Sequence, residues 1–372
     1  MFDQTNIPDV EQLLDQLEQL APTRDSNSNT RSVIYRISND DEPINDAISN
    51  DDAELQDWID WQEHHELPFI WEVNTNNLRF QPVPLTAVDT GLIRLGETED
   101  GLIIALRGTI ISVTNSHPVL NLYRTGPIYL RNTDKAAILH ILGTQLGKPD
   151  MFVELDDKNI PIRVKSGVAD NVQAYSDRFR NWFERVLQKL AIRSIQNGIV
   201  LLDGALTTNT YDTPTVFFES LRDSANEYGN AVVAISKQSR LQVQNRAVRF
   251  WLSESAYQVC YRRLTDMMSD GMKQRIMGAT YAIRFSPMGL TYRVDVKPVA
   301  GQREEEVIET LFASCLMRGG YPDVLVQAHA HSYFTSPHVA ELEAQCGAKY
   351  ALRAEAEADL GGIFGPFGGR FK

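Results

Sequence analysis

Three acidic residues stand where a carboxylate is costly to keep. The run Gly198-Ile-Val-Leu-Leu-Asp-Gly-Ala-Leu206 reads as a buried strand that ends on Asp203, with Gly204 free to turn the backbone. A carboxylate at such a tip needs a partner, and a divalent cation is a common one; the plainer reading is a turn Asp bonded to nearby backbone N–H groups. Asp89 follows the strand-like Leu85-Thr-Ala-Val88, and Glu184 lies in a long amphipathic segment between the two. Two carboxylates from strands and one from a helix suit two oxygen-seeking cations ~3.5–4 Å apart, the arrangement that serves in-line phosphodiester cleavage. Taken singly, Asp89 could open a turn, and Glu184 could belong to a solvated face beside Arg180 and Gln188. Further on, Gly320-Tyr-Pro-Asp-Val-Leu-Val-Gln-Ala-His329 sets a Tyr-Pro turn ahead of a histidine. His329 is a candidate metal ligand, general acid or phosphate contact, against the reading of a hydrogen-bonded core residue; His331 is a weaker candidate.

The elements that must position these residues can be read along the chain. A short amphipathic helix is expected within 1–22, then an Asn/Asp/Ser-rich flexible linker over 23–55. Residues 84–95, 102–106 and 109–113 read as an antiparallel meander, and 116–168 as an insertion with a short helix near 136–143. A long helix over 172–196, stopped by Gly198, feeds the Asp203 strand. Thr213-Pro214 opens a helix to about 228, and 231–236 is a further buried strand. A hairpin follows over 281–296, then helices over 304–317 and about 340–359, and a Gly/Phe-rich tail over 361–372. An antiparallel meander followed by β/α units is an α/β order, that of an RNase H-like fold with a mixed sheet. The domain reading is an acidic extension over 1–66, a catalytic domain over 67–360, and the tail.

Composition narrows the compartment and the partners. No apolar run reaches the ~18 residues that span a bilayer, and the N-terminus lacks the marks of a secretory signal. Cys260, Cys315 and Cys346 are widely spaced, which suits buried thiols in a reducing cytoplasm and neither a zinc site nor a disulfide frame. The net charge of −13 is unevenly spread. Residues 1–66 hold 17 Asp/Glu and 3 Arg, whereas the remaining 306 residues hold 32 acids and 33 bases. The acidic pI therefore does not argue against a nucleic-acid partner.

The Ala-Val-Asp89 strand, the Leu-Leu-Asp203-Gly-Ala-Leu strand end and the Gly-Tyr321-Pro…Ala-His329 segment, in that order, resemble the NurA nuclease family over about residues 80–340. Val233-Ala-Ile-Ser-Lys237 also resembles the family's strand-then-lysine segment. The resemblance implies an RNase H-like fold and a homodimer. It implies a nuclease that degrades DNA with two Mn²⁺ ions, Mg²⁺ being the alternative, beside a HerA-type hexameric ATPase in end resection and double-strand break repair. Carried over, the catalytic set is Asp89, Glu184, Asp203, Tyr321 and His329, with Asp89, Glu184, Asp203 and His329 as metal ligands. The sequence departs from the family at Asp89-Thr-Gly91, where Asp-Gly-Ser is usual, and a competing alignment puts Arg107-Gly108 there. Gln188 competes with Glu184 one helical turn on.

Lys237, Arg240, Arg246 and Arg249, among Phe250 and Trp251, suit phosphate tracking and base stacking on DNA ends or single strands. Arg262 and Arg263 follow with Tyr257 and Tyr261. Asn245, Arg246 and Arg249 are expected on one helical face. The alternative function is a degenerate RNase H-like subunit that binds DNA or regulates a motor. A Ser or Cys hydrolase finds no Gly-x-Ser-x-Gly elbow and no histidine motif near a cysteine.

Overall fold

The computed structural model describes residues 70–73 and 82–350, apart from 99–100, 116, 209–212, 244, 254 and 288, and the backbone of 33–35 and 353–355. The helix expected within 1–22, most of the acidic extension and the tail over 361–372 lie outside the described residues.

Long strands come first. Leu85–Thr98 (β1), Gly101–Thr114 (β2) and His117–Arg131 (β3) form an antiparallel meander. Two expectations are corrected here. Segments 102–106 and 109–113 are halves of one strand, because Arg107 and Gly108 continue the ladder opposite Gly91 and Thr90. Gly108 lets a helix lie close there, since a Cβ would sit 2.1 Å from Leu187 Cδ1. The third strand of the meander is β3, inside the stretch read as an insertion; residues 117–122 are exposed on both faces and so carry no strand alternation. Lys135–Gln145 (α1) and a small hairpin of Val153–Leu155 with Pro161–Val164 fill the rest of that stretch.

Val172–Ser194 (α2) opens with the Asn171 side chain accepting the Ala174 N–H and leads into Ile199–Asp203 (β4). Asn230 fastens that junction. Its amide donates to the carbonyls of Ile192 and Ile195 at the end of α2 and accepts the Gly198 N–H, satisfying groups that a helix end leaves open. Thr215–Glu227 (α3) then leads to Ala231–Ser236 (β5). Cys260–Arg263 (β6), Ala279–Arg284 (β7) and Thr291–Lys297 (β8) extend the sheet antiparallel. Glu304–Ser314 (α4), Asp323–Ser332 (α5) and Ser336–Tyr350 (α6) follow.

The strand order is β3-β2-β1-β4-β5-β8-β7-β6, with Ile70–Glu72 outside β6. β4 runs parallel to both β1 and β5. Three antiparallel strands followed by two parallel ones across the switch from β1 to β4 define an RNase H-like core. Val33–Tyr35, in the stretch read as a flexible linker, is a strand that pairs with β1 at Glu97. Its other neighbour is Arg353–Glu355, a strand where the last helix was expected to continue; α6 stops by Tyr350.

Helices cover both faces of the sheet. On one, Val88, Val200 and Leu202 pack with Phe179, Phe183 and Leu187 of α2 and Phe217 and Leu221 of α3. On the other, Ala87, Leu201 and Val233 meet Val307 and Leu311 of α4 and Val324, Leu325 and Ala328 of α5. All four apolar residues of β4 are at most 2 % exposed, each worth roughly 1.5–3 kcal/mol of burial.

Candidate active site

Register decides which acids can meet. Val88 of β1 is the partner of Leu202 of β4, and both pack toward α2. One residue on, Asp89 and Asp203 therefore stand side by side and turn to the opposite face, toward α5. β4 ends there with Gly204 at φ +108°, while β1 runs on to Thr98. The missing neighbour leaves a notch beside β1 that side chains from both faces can enter.

From one face comes α5. Its last turn lies directly on β1 because Gly91 has no side chain; a Cβ there would be 2.3 Å from the Ser332 carbonyl oxygen. His329 Nδ1 is 3.1 Å from Asp89 Oδ2, and Ser332 Oγ bonds the same oxygen while lying 2.9 Å from the His329 carbonyl. The bond to Asp89 holds His329 protonated to higher pH than an ordinary histidine, against the pull of burial. Asp203 receives Lys237 Nζ at 2.7 Å on Oδ2. Tyr321 Oη lies 3.5 Å from its Oδ1 and 3.4 Å from the Ile235 carbonyl. Burial and the Asp203 charge keep Tyr321 a neutral phenol well above its usual range, so it is a donor. The Met317–Arg318/Tyr321–Pro322 hairpin delivers it, with Gly319 and Gly320 both at positive φ in the turn.

From the other face comes α2. Glu184 Oε2 accepts from Thr90 Oγ1 at 3.4 Å, one residue past Asp89, and Oε1 accepts from Gln188 Nε2 at 3.0 Å. Gln188 is buried and accepts from Arg185 Nη1 at 3.1 Å, so it backs Glu184 and does not take its place. Burial raises the Glu184 carboxyl above the usual range, Arg185 and Arg180 oppose the rise, and the Asp89 and Asp203 charges add to it. Asp203 is raised too, by burial first, with Lys237 opposing and Asp89 adding. The Asp203 and Glu184 side chains keep 28 % and 20 % of their surface, which leaves them open to a ligand.

The structure brings together Asp89, Glu184, Asp203, Tyr321 and His329. It moves Lys237 from the expected basic strip into the acidic site. Arg107 is not at the acid position, since it pairs with Gly91 on the neighbouring strand. The expected helical strip is absent: Gln242–Val243 and Arg246–Ala247 form a hairpin turned by Asn245 at φ +59°, followed by a short 3-10 turn. Trp251 and Tyr261 are core residues; Arg262 lies 5.6 Å from the Trp251 ring, and Arg263 is tied to Glu304 and Asp266. Arg240 and Arg249 remain exposed, Arg249 against the Phe250 ring at 4.8 Å. Thr90 and Ser332 join the site without any mark in the sequence that singles them out. Ser332 stands three residues after His329, a spacing that shares a face only on a helix.

A mixed α/β sheet with carboxylates meeting at the end of its first two parallel strands is the class of molecule that fold and site define. No family model matches the sequence, and no curated protein matches it. The structure is similar to that of the NurA nuclease from Sulfolobus solfataricus, at 11 % identity and a TM-score of 0.45, over 76 % of this chain and 86 % of that one. A second similar structure is of NurA bound to dAMP and manganese, at 9 % identity and 0.41, over 95 % and 98 % of the two chains. A third is endonuclease V from Bacillus subtilis, at 12 % identity and 0.34, over 73 % and 89 %. Among the described residues no helix is long and apolar enough to cross a membrane.

Proposed function

We propose that this chain is a metal-dependent deoxyribonuclease of the NurA type, which hydrolyses phosphodiester bonds at DNA ends. The observation that carries the reading is the side-by-side placement of Asp89 and Asp203, with Glu184 reaching the same notch from the opposite face. Three carboxylates that repel one another, each partly desolvated, form an oxygen donor set whose strain a divalent cation relieves. Among the described residues no three such side chains stand close enough to close on one ion. The donor chemistry nonetheless fits. Asp89, Glu184 and Asp203 would hold Mn²⁺ or Mg²⁺, in the two-ion arrangement that the family resemblance implies, with His329 beside them. Bound there, the cations would supply a hydroxide at neutral pH and stabilise the leaving oxygen.

The chain's own residues divide the remaining work. His329, kept protonated by Asp89, donates to the scissile phosphate or to the leaving oxygen. Lys237 places a positive charge at the Asp203 edge, where phosphate charge accumulates. Tyr321 orients Asp203. A HerA-type ATPase partner, a homodimer, cytoplasmic location and a part in double-strand break repair complete the reading on the family resemblance. The test incubates end-labelled linear DNA with the protein, with and without Mn²⁺, beside D203A. Mn²⁺-dependent cleavage that falls by more than the ~10–100-fold typical of losing a group behind a metal ligand is expected for D203A.

The Lys237–Asp203 ion pair, which holds one site oxygen without a metal, favours a second reading as a degenerate DNA-binding subunit. Calorimetric titration separates the two. Mn²⁺ binding abolished by D203A fits the nuclease, and no Mn²⁺ signal in the wild type fits the degenerate subunit.

A further inference from the structure

Two arginines stand side by side next to the acidic notch. Arg107 of β2 is the cross-strand partner of Arg124 of β3, and its other partner is Gly91, two residues along β1 from Asp89. Directly paired residues of antiparallel strands share a face, so both side chains project on the side of Asp89, about 7 Å further along the strand direction, with Arg107 about 5 Å and Arg124 about 10 Å across the sheet from β1. Like charges placed directly opposite are unfavourable, and among the described residues no carboxylate forms an ion pair with either arginine. Arg107 is 5 % exposed; its Nη1 donates to the Tyr333 carbonyl at 2.8 Å and to His338 Nδ1 at 3.1 Å, and the Phe334 ring lies 4.5 Å away. Its Nε is buried with no hydrogen-bond partner among the described residues. Burial first, and then the Arg124 charge, lower its proton affinity. Arg124 is exposed at the sheet edge. His338 accepts at Nδ1 from Arg107, which leaves its proton on Nε2 as a further donor.

Such a pair needs an anion, and the anion that passes the neighbouring carboxylates in the nuclease reading is a polynucleotide backbone. Resting on that reading, we infer that Arg124, backed by Arg107, holds a backbone phosphate of the substrate strand to one side of the phosphate at Asp89 and Asp203. The planar guanidinium suits the fork geometry of phosphate oxygens, and Arg107 raises the potential behind it without leaving the protein interior. The pair then fixes the strand's register against the acids, a positioning role distinct from bond cleavage.

The test measures anisotropy of a labelled single-stranded oligonucleotide in chelator across a KCl series, so that binding is read without turnover. R124Q is expected to lower the slope of log Kd against log salt by about 0.7, the value for one phosphate contact on a single strand. R124K should keep the wild-type slope. Because the Arg124 side chain bonds nothing among the described residues, R124Q should melt like the wild type. R107Q, which also frees the corner between α5 and α6, is a secondary variant. Wild-type affinity and slope in R124Q would overturn the phosphate site alone. Absence of any DNA binding by the wild type would overturn the nuclease reading and this inference with it.

Discussion

Asp89 Oδ2 takes two groups from one helix, His329 Nδ1 and Ser332 Oγ, and this double contact fixes how the carboxylate faces the notch. Ser332 is 1 % exposed, too deeply buried to meet a substrate, so its part is to position Asp89. S332A should cost about 1.5–3 kcal/mol of stability, as for a hydrogen bond to a charged group, and ~10–100-fold in cleavage rate. Denaturant midpoints and the end-labelled DNA assay read the two effects, and an S332A enzyme with wild-type rate would remove Ser332 from the site. Glu184 gives a prediction of opposite sign. Its folded-state pKa is raised, so the folded chain holds the proton over a range where the unfolded chain has lost it. Stability from this group is therefore full at low pH and is lost as pH rises through that range. E184Q should melt above the wild type in chelator at neutral pH, by roughly 1–2 °C per kcal/mol relieved, with the gap closing below the ordinary glutamate range. A gap that persists in acid would show that the gain has another origin. The acids were legible in the sequence because a charge interrupting an apolar run is conspicuous, as at Asp203. Ser332 and Thr90 were not, since a hydroxyl beside a carboxylate has meaning only once strand parity and helix phase are known.

At the scale of elements, the site depends on how closely α5 lies on β1. Gly91 permits that approach at an ordinary backbone conformation, so alanine there is excluded by contact and not by strain. G91A should push the end of α5 off the sheet, at about 1–3 kcal/mol, and separate His329 and Ser332 from Asp89. Urea denaturation and the cleavage assay should both report a loss; a stable G91A protein with full activity would mean that α5 can shift without moving the site. Element legibility followed the same physics. β4 and β5 were placed from apolar runs because strands buried on both faces advertise themselves. From sequence alone β2 reads as two strands broken at Arg107-Gly108, since an arginine followed by glycine resembles a turn when the helices packed on either side are unseen. The first half of β3 was missed because a strand exposed on both faces has no periodicity to read. The basic stretch around Arg246 was given helical phase by its spacing, yet Asn245 takes a left-handed conformation that closes a hairpin.

At the scale of the whole molecule, charge is divided by sequence position. Residues 1–66 carry 17 acids against 3 arginines, and the remainder, which includes the entire site, holds 32 acids and 33 bases. In the nuclease reading, a polyanionic segment joined to the body that binds DNA competes with phosphate for the same basic side chains at a high effective concentration. Removing the segment whole would also remove Val33–Tyr35, a strand paired with β1 at Glu97. Amide substitution of Asp51, Asp52, Glu54, Asp57 and Asp60 removes charge and leaves that strand in place. The substituted protein should bind DNA more tightly than the wild type at low salt. The advantage should shrink toward physiological ionic strength, where the Debye length falls to ~8 Å and charges held on separate segments lose sight of each other. Arg124 supplies an internal check. If the acidic segment occupies the arginine pair, R124Q should gain less from the amide substitutions than the wild type does, and equal gains would place the competition elsewhere on the surface.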